Sequence, residues 1–205
     1  MSNRQLTTTS YAILGLLAVK PWATYEMAKQ LQRSLHFFWP RAESNLYAEP
    51  KRLVEAGLAD AREEWNGDRR RTVYSITEKG RSAFRDWLAT PPAPQRVESE
   101  AHLRVLFGNS GTKADLIAAL ERLEADAASQ VDHFATLGGD YARGEGPFPE
   151  RIHVNALIAS LGIAQGRALA DWARWAKGEV SEWGDTRTPD VGWALKVLKD
   201  AIEDA

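Results

Sequence analysis

The sequence predicts a mainly α-helical protein carrying one small β-hairpin, divided into an N-terminal and a C-terminal domain. Three observations support this. Ser44–Leu58 reads as a helix with polar residues on one side, stopped by Gly57. Glu64-Trp-Asn-Gly-Asp-Arg-Arg-Arg71 carries the Asn-Gly signal of a tight hairpin, and Tyr74-Ser-Ile-Thr-Glu-Lys-Gly80 leads from its second strand into another helix. Beyond Thr90-Pro-Pro-Ala-Pro94 every strong pattern is helical. A helix, a two-stranded hairpin with a basic tip, then another helix is the order of a winged helix-turn-helix, and that order points to a DNA-binding protein.

The elements follow in turn. Thr9 or Ser10 is expected to cap a first helix through Ala12–Val19, ended by Pro21 and apolar almost all round. Thr24 is expected to cap a second helix, with Met27, Leu31 and Leu35 on one face, followed by the non-helical aromatic turn His36–Pro40. The third helix starts near Glu43 or Ser44. Leu46, Pro50, Leu53 and Gly57 line its inner side, while Ser44, Ala48, Lys51, Arg52 and Glu55 look outward. Leu58–Trp65 and Thr72–Ile76 are the hairpin strands; Asn66-Gly67 forms the turn, and the three arginines after it suggest a loop somewhat longer than two residues. Thr77 caps the next helix, through Phe84, Trp87 and Leu88.

The proline-rich break sets the expected domains: residues 1–90 as the winged helix-turn-helix and residues 91–205 as a helical dimerisation and possible effector domain. In the second, Ser99 caps a short helix ending near Phe107. Thr112-Lys-Ala-Asp115 is a capping box with Asp in place of Glu or Gln. It opens a long helix with Leu116, Leu120, Leu123, Ala127, Val131 and Phe134 on one stripe, expected to end at Gly138-Gly139. A second long helix is expected from about Glu150 to Lys177, with Ala156, Ala159, Ile163, Ala170 and Ala173 as a small-residue stripe. A last amphipathic helix runs near Asp190 to Glu203. The first helix and the small-residue helix are the surfaces expected to bury a dimer interface.

Composition narrows the function. With 205 residues, 44% hydrophobic and 26% charged, the chain is an ordinary globular protein with room for a core. No apolar run approaches the roughly 18 residues of a membrane span. The N-terminus shows no signal-peptide pattern, and the absence of cysteine fits a cytoplasmic protein. Residues 1–90 carry 14 Lys and Arg against 10 Asp and Glu, and residues 91–205 carry 12 against 18. That asymmetry suggests an N-terminal half that meets a polyanion, the other reading being random scatter of surface charge.

Within the winged half the base-reading candidates are Ser44, Asn45, Tyr47, Lys51 and Arg52. Asn can read adenine, Lys and Arg can read guanine or grip phosphate, and the hydroxyls suit phosphate oxygens. A merely solvated helix face is the alternative. Arg69, Arg70 and Arg71 form the stronger electrostatic signal. Strand alternation sends neighbours to opposite sides, so two of the three are expected to reach phosphate, each adding about 0.9 to the salt slope of binding. A charged edge that guards the hairpin against pairing is the alternative. Tyr25 and Lys29 are further backbone-contact candidates.

Eight tryptophans are many for this length. Trp172 and Trp175, with Trp183 and Trp193, are candidates to line a cavity for a flat aromatic effector, against the plainer reading of core or dimer packing. Trp22, Trp39 and Trp65 are expected to pack within the winged domain. His36, His102, His133 and His153 show no ligand spacing, so no metal site or cofactor is expected. There is no nucleophile elbow, and Gly108-Asn-Ser-Gly-Thr-Lys113 lacks the spacing of a phosphate loop, so no enzyme is expected.

The residues also carry a resemblance. Tyr11-Ala-Ile-Leu-Gly-Leu-Leu17, Tyr25-Glu-Met-Ala28, Phe38-Trp-Pro40, Leu46-Tyr47, Arg52-Leu53, Gly57-Leu58 and Tyr74–Gly80, in this order, resemble the PadR-type transcriptional regulators over about residues 7 to 90. Beyond, the chain is similar to the long form with its acidic, Vir-type helical domain. The resemblance implies a homodimer that binds an inverted repeat in double-stranded DNA near promoters, usually as a repressor released by a small molecule. It implies a third helix in the major groove, a wing on the backbone or minor groove, and a dimer made by the C-terminal helices. The departure is Pro50, where such regulators commonly carry an apolar residue. An interior proline costs about 3 kcal/mol, so a kinked helix or a late start is expected. The alternative function is a helical protein-interaction adaptor on a winged-helix scaffold that does not read DNA, supported by the acidic C-terminal half and by Pro50.

Overall fold

Two compact units, residues 1–95 and 96–205, make up the computed structural model. It describes residues 6–39, 43–188 and 190–203; the side chains of residues 34, 35, 43–46, 66 and 69 lie outside that description, as does Pro40 of the expected aromatic turn.

The first unit runs α1 (Thr8–Val19), β1 (Trp22–Ala23), α2 (Thr24–Leu35), α3 (Glu43–Glu55), β2 (Ala59–Asn66), β3 (Arg69–Ile76) and α4 (Glu78–Leu88). The cap of α1 is Thr7, earlier than expected. Thr7 Oγ1 accepts from the Ser10 N–H while Ser10 Oγ accepts from the Thr7 N–H, so Ser10 closes the capping box from the third helical position. Thr24 likewise lies inside α2, whose N-cap is Ala23 without a side-chain cap. Ile13, Leu14 and Leu17 of α1, Met27 and Leu31 of α2, Leu53 of α3, and Val73 and Tyr74 of β3 form the core of the unit. The inner face of α1 is therefore filled within its own unit. Trp22 and Ala23 add a short third strand, paired with Tyr74 and Val73, giving an antiparallel sheet in the order β1-β3-β2.

The end of α3 is fixed by local chemistry. Gly57 takes φ +69°, the left-handed conformation that glycine adopts without penalty. Its N–H donates to Val54 O at 2.9 Å and the Leu58 N–H to Leu53 O at 2.8 Å, a Schellman motif with buried Leu53 and Leu58 closing it. Gly57 itself is exposed rather than on the inner side. Thr77, the expected cap of α4, accepts from the Gly80 N–H and donates to Gly57 O at 2.9 Å, which ties the start of α4 to the end of α3. Gly80 is required there: a Cβ would lie 2.0 Å from Leu58 O.

Helix α3 begins at Glu43 and continues through Pro50 to Glu55, so it does not start late. The Pro50 ring is buried on the inner side, and the helix gives up one backbone hydrogen bond there.

The second unit contains α5 (Glu100–Leu106), α6 (Lys113–Ala142), α7 (Ile152–Glu182) and α8 (Val191–Glu203). Ser99 caps α5, and the Thr112/Asp115 capping box opens α6 as the sequence predicts. Gly138-Gly139 do not end α6, which continues to Ala142, and α7 runs five residues past Lys177. Helices α6 and α7 pack antiparallel, with Leu116, Leu120 and Leu123 against Ala173, Ala176 and Val180. Lys113 Nζ, at the start of α6, donates to Ser181 O at 3.1 Å and Trp183 O at 2.8 Å at the end of α7. The small-residue stripe of α7 matches the expected one at Ala170 and Ala173 and departs from it in the N-terminal half of the helix. Gly162, Gly166, Ala170, Ala173 and Ala176 are buried, whereas Ala156 is exposed and Ala159 and Ile163 are half-buried. This stripe is occupied by α6 of the same chain, so it is not free to bury a dimer interface.

Candidate nucleic-acid interface

Three elements of the first unit carry the predicted contacts: the N-terminal turns of α2, the outward side of α3, and the β2–β3 wing. On α2, Tyr25 is 71% exposed and Lys29 is exposed one turn later. On α3, Tyr47 and Lys51 are exposed and Arg52 is half-buried, over an inner face of Pro50 and Leu53. Ser44 and Asn45 lie in the first turns of the same helix, and their side chains fall outside the described ones.

The wing is tighter than the sequence suggests. Asn66 pairs with Arg69, so the loop is the two-residue Gly67-Asp68, with Gly67 at φ +60°. Asn66 is the last residue of β2 rather than the first of the turn, and Arg69, Arg70 and Arg71 open β3 rather than forming the loop. The three arginines suggest a loop somewhat longer than two residues; in the structure they continue the ladder opposite Asn66, Trp65 and Glu64.

Alternation gives the arginines different surroundings. The Arg69 side chain lies outside the described ones. Arg70 pairs with Glu63 and keeps a side-chain exposure of 66%. Arg71 points to the other face, where it bridges two elements: Nη1 lies 3.0 Å from Glu26 Oε1 on α2 and Nη2 lies 3.3 Å from Glu64 Oε2 on β2. Glu64 also accepts from Arg62 at 2.6 Å. Hydrogen bonds from Arg62 first, and from Arg71, hold the Glu64 carboxyl below the usual carboxylate range. The wing is thus locked to the start of α2 by an Arg62–Glu64–Arg71–Glu26 chain of charges.

Two features escape the sequence reading. Trp65 was expected to pack within the unit, but it is 72% exposed beside Arg70 on the edge strand. Trp22 is buried, with Nε1 donating to Leu16 O at 2.8 Å, and Trp39 donates to Thr9 Oγ1 at 3.2 Å. The second feature is Glu49, only 5% exposed on the inner side of α3, where it accepts from Ser10 Oγ and pairs with Arg52 at 2.6 Å. Its burial depends on Ser10 of α1, a partner that local sequence pattern does not reveal.

Of the effector candidates, Trp172 and Trp175 are exposed on α7, and Trp183 and Trp193 meet edge to face at 5.2 Å. Among the described residues no group of His, Cys, Asp and Glu is placed to hold a metal ion, and no helix is long and apolar enough to cross a membrane.

Residues 13–86 match the transcriptional regulator PadR-like family, and residues 98–181 match the virulence activator alpha C-terminal family. The first unit carries a PadR-like domain. Among curated relatives of this family it is 31% identical over 99 residues to the negative transcriptional regulator PadR of Bacillus subtilis. That alignment covers 47% of this chain and 54% of the relative; the chain spans about half the length of the curated relatives it matches. Among solved structures, Bacillus subtilis PadR in complex with operator DNA superposes with a TM-score of 0.72 at 20% identity, covering 85% of this chain and 99% of that one. The same protein in complex with p-coumaric acid gives a TM-score of 0.65 at 22% identity, over 86% and 100% of the two chains. The Vibrio cholerae virulence activator AphA gives 0.63 at 22% identity, over 85% and 98%. At these identities the PadR and AphA structures share the fold with this chain.

Proposed function

We propose that this PadR-like chain is a sequence-specific DNA-binding transcriptional regulator, a repressor that binds a pseudo-palindromic operator as a homodimer in the cytoplasm. The observation that carries the reading is the outward side of α3. Tyr47 and Lys51 are exposed and Arg52 is half-exposed on a helix anchored at its far end by the Gly57–Thr77 contacts. Ser44 and Asn45 belong to the same reading by position. Tyr25, Lys29, Arg69, Arg70 and Arg71 supply the backbone contacts that fix register. The exposed apolar rows Val154, Leu157, Ile158 and Leu161 on α7, and Val191, Leu195, Leu198 and Ile202 on α8, supply the dimer surface. In a dimer the two α3 helices meet half-sites about one DNA turn apart. A small aromatic effector held beside Trp172 and Trp175 would release the operator; a relative solved with p-coumaric acid supports that ligand class.

The test is fluorescence anisotropy with duplexes tiled across the DNA flanking the gene, at two salt concentrations with competitor DNA. One duplex bound at nanomolar concentration, weakening steeply with salt, supports the regulator. Equal, weak binding to all duplexes leaves only the electrostatic part. No binding at low salt makes the protein-interaction adaptor the better account.

A further inference from the structure

On the inner side of α3 a carboxylate is buried with partners from α1 and from α3 itself. Glu49 Oε1 accepts from Ser10 Oγ of α1, and Glu49 Oε2 lies 2.6 Å from Arg52 Nη1. Ser10 is fully buried, and its hydroxyl oxygen also accepts the Thr7 N–H at 2.9 Å in the capping box of α1. The Arg52 side chain is held through Nη1 and keeps 39% exposure. A buried acid needs such partners, since an unpaired charge there is strongly unfavourable.

We infer that Glu49 is a positioning residue that fixes Arg52 as a base reader rather than a phosphate clamp. The inference rests on the DNA-binding reading above. Two physical arguments carry it. Arginine has five N–H donors in a rigid fork, so a guanidinium held through Nη1 still offers donors for a two-point contact to a guanine edge. A group already fixed also loses less rotational freedom on binding than a free surface arginine. The second argument is charge. Paired at 2.6 Å with a carboxylate, Arg52 carries little net charge toward a distant phosphate, so its contribution to counterion release is small while its directional hydrogen bonds remain. Ser10 sets the carboxylate from α1, so the N-terminal turn of α1 specifies the orientation of a residue on α3.

The test uses the full chain and the operator found by duplex tiling, with each base pair of the half-site exchanged in turn. In the unaltered protein, changing the base pair that Arg52 reads weakens binding roughly tenfold to a hundredfold. Arg52→Lys keeps the charge but not the fork, and removes the preference at that base pair alone. Glu49→Gln lessens the preference at the same base pair and steepens the salt slope, by up to about 0.9 for each arginine released to phosphate. In an Arg52→Lys background Glu49→Gln changes the base profile no further, because the two residues act as a unit. Should Glu49→Gln unfold, Ser10→Ala carries the test, since it leaves both charges in place and weakens the same preference by a smaller factor. Unchanged discrimination in a folded, DNA-binding Glu49→Gln or Ser10→Ala protein overturns this inference alone, as does an Arg52→Lys protein with an unaltered base profile. Failure of the unaltered protein to select any duplex overturns the DNA-binding reading and this inference with it.

Discussion

Gly162 of α7 lies so close to Phe134 of α6 that a Cβ at this position would stand 2.2 Å from the ring. Phe134 is among the most deeply buried side chains of the chain, so the ring cannot swing into solvent to make room. Gly162→Ala is therefore expected to destabilise the helical unit by about 1–3 kcal/mol, the usual cost of overfilling a packed core. Alanine's better helix propensity, about 1 kcal/mol, offsets only part of this. Gly178, on the same helix, has nothing within 4 Å of its would-be Cβ. Gly178→Ala is expected to stabilise by about 0.5–1 kcal/mol. Denaturant midpoints of the two variants should move in opposite directions.

Acid is expected to weaken the same unit through Glu124 and Asp115. Lys177 Nζ lies 2.8 Å and Arg174 Nε 3.0 Å from Glu124, and the Lys177 hydrogen bond is the main cause that lowers its pKa below the ordinary 4.5. Asp115 is lowered from 3.8 chiefly by its hydrogen bonds from the Thr112 hydroxyl and N–H. For both, the folded state binds protons less readily than the unfolded chain. Their stabilisation is complete above the ordinary values and is lost as pH falls through the depressed ones. Thermal midpoints measured from pH 6 downward should therefore fall, and Glu124→Gln should make the fall shallower.

How much of this was legible follows from how local each signal is. The Thr77 and Ser99 caps, the Thr112/Asp115 box and the Gly57 stop depend on residues within a few positions of one another, and sequence alone places them. The α1 cap shifts to Thr7 because Ser10, a good cap by type, serves as the third residue of the box. Glycines were the main source of error in the second unit. Gly138-Gly139 read as a helix end, yet packing carries α6 past them. Gly162 and Gly166, which were not expected on the stripe, join Ala170 and Ala173 in the close approach to α6. Glu49 and Trp65 could not be assigned by pattern: one depends on a partner in a different helix, and the other stays exposed despite its type.

The wing arginines are expected to separate in their effects on DNA binding. Arg70 and its partner Glu63 are both well exposed, 66% and 50%, so phosphate can replace the carboxylate at little cost. Arg71 is held between Glu26 and Glu64 on two elements. Arg70→Ala should lower the salt slope by about 0.9 per wing and leave the thermal midpoint unchanged. Arg71→Ala should lower the midpoint, by up to about 1 kcal/mol of stability, with a smaller change in slope. Equal slopes for the two variants would contradict this assignment.

The exposed apolar row of α7 provides the sharpest test of assembly. Val154, Leu157, Ile158 and Leu161 follow i, i+3, i+4, i+7 spacing and are all exposed in the single chain. Because the Gly162–Ala176 stripe is already filled by α6, this row is a separate face, and isolated chains rarely leave so continuous an apolar face in water. Leu157→Asp with Leu161→Asp is expected to give a folded monomer by light scattering, since neither side chain belongs to the α6–α7 core. The monomer should bind a half-site with roughly half the salt slope of the dimer, because half of the phosphate contacts remain. A dimer that survives both substitutions would move the interface to the apolar row of α8, where Leu195→Asp with Leu198→Asp is the corresponding test.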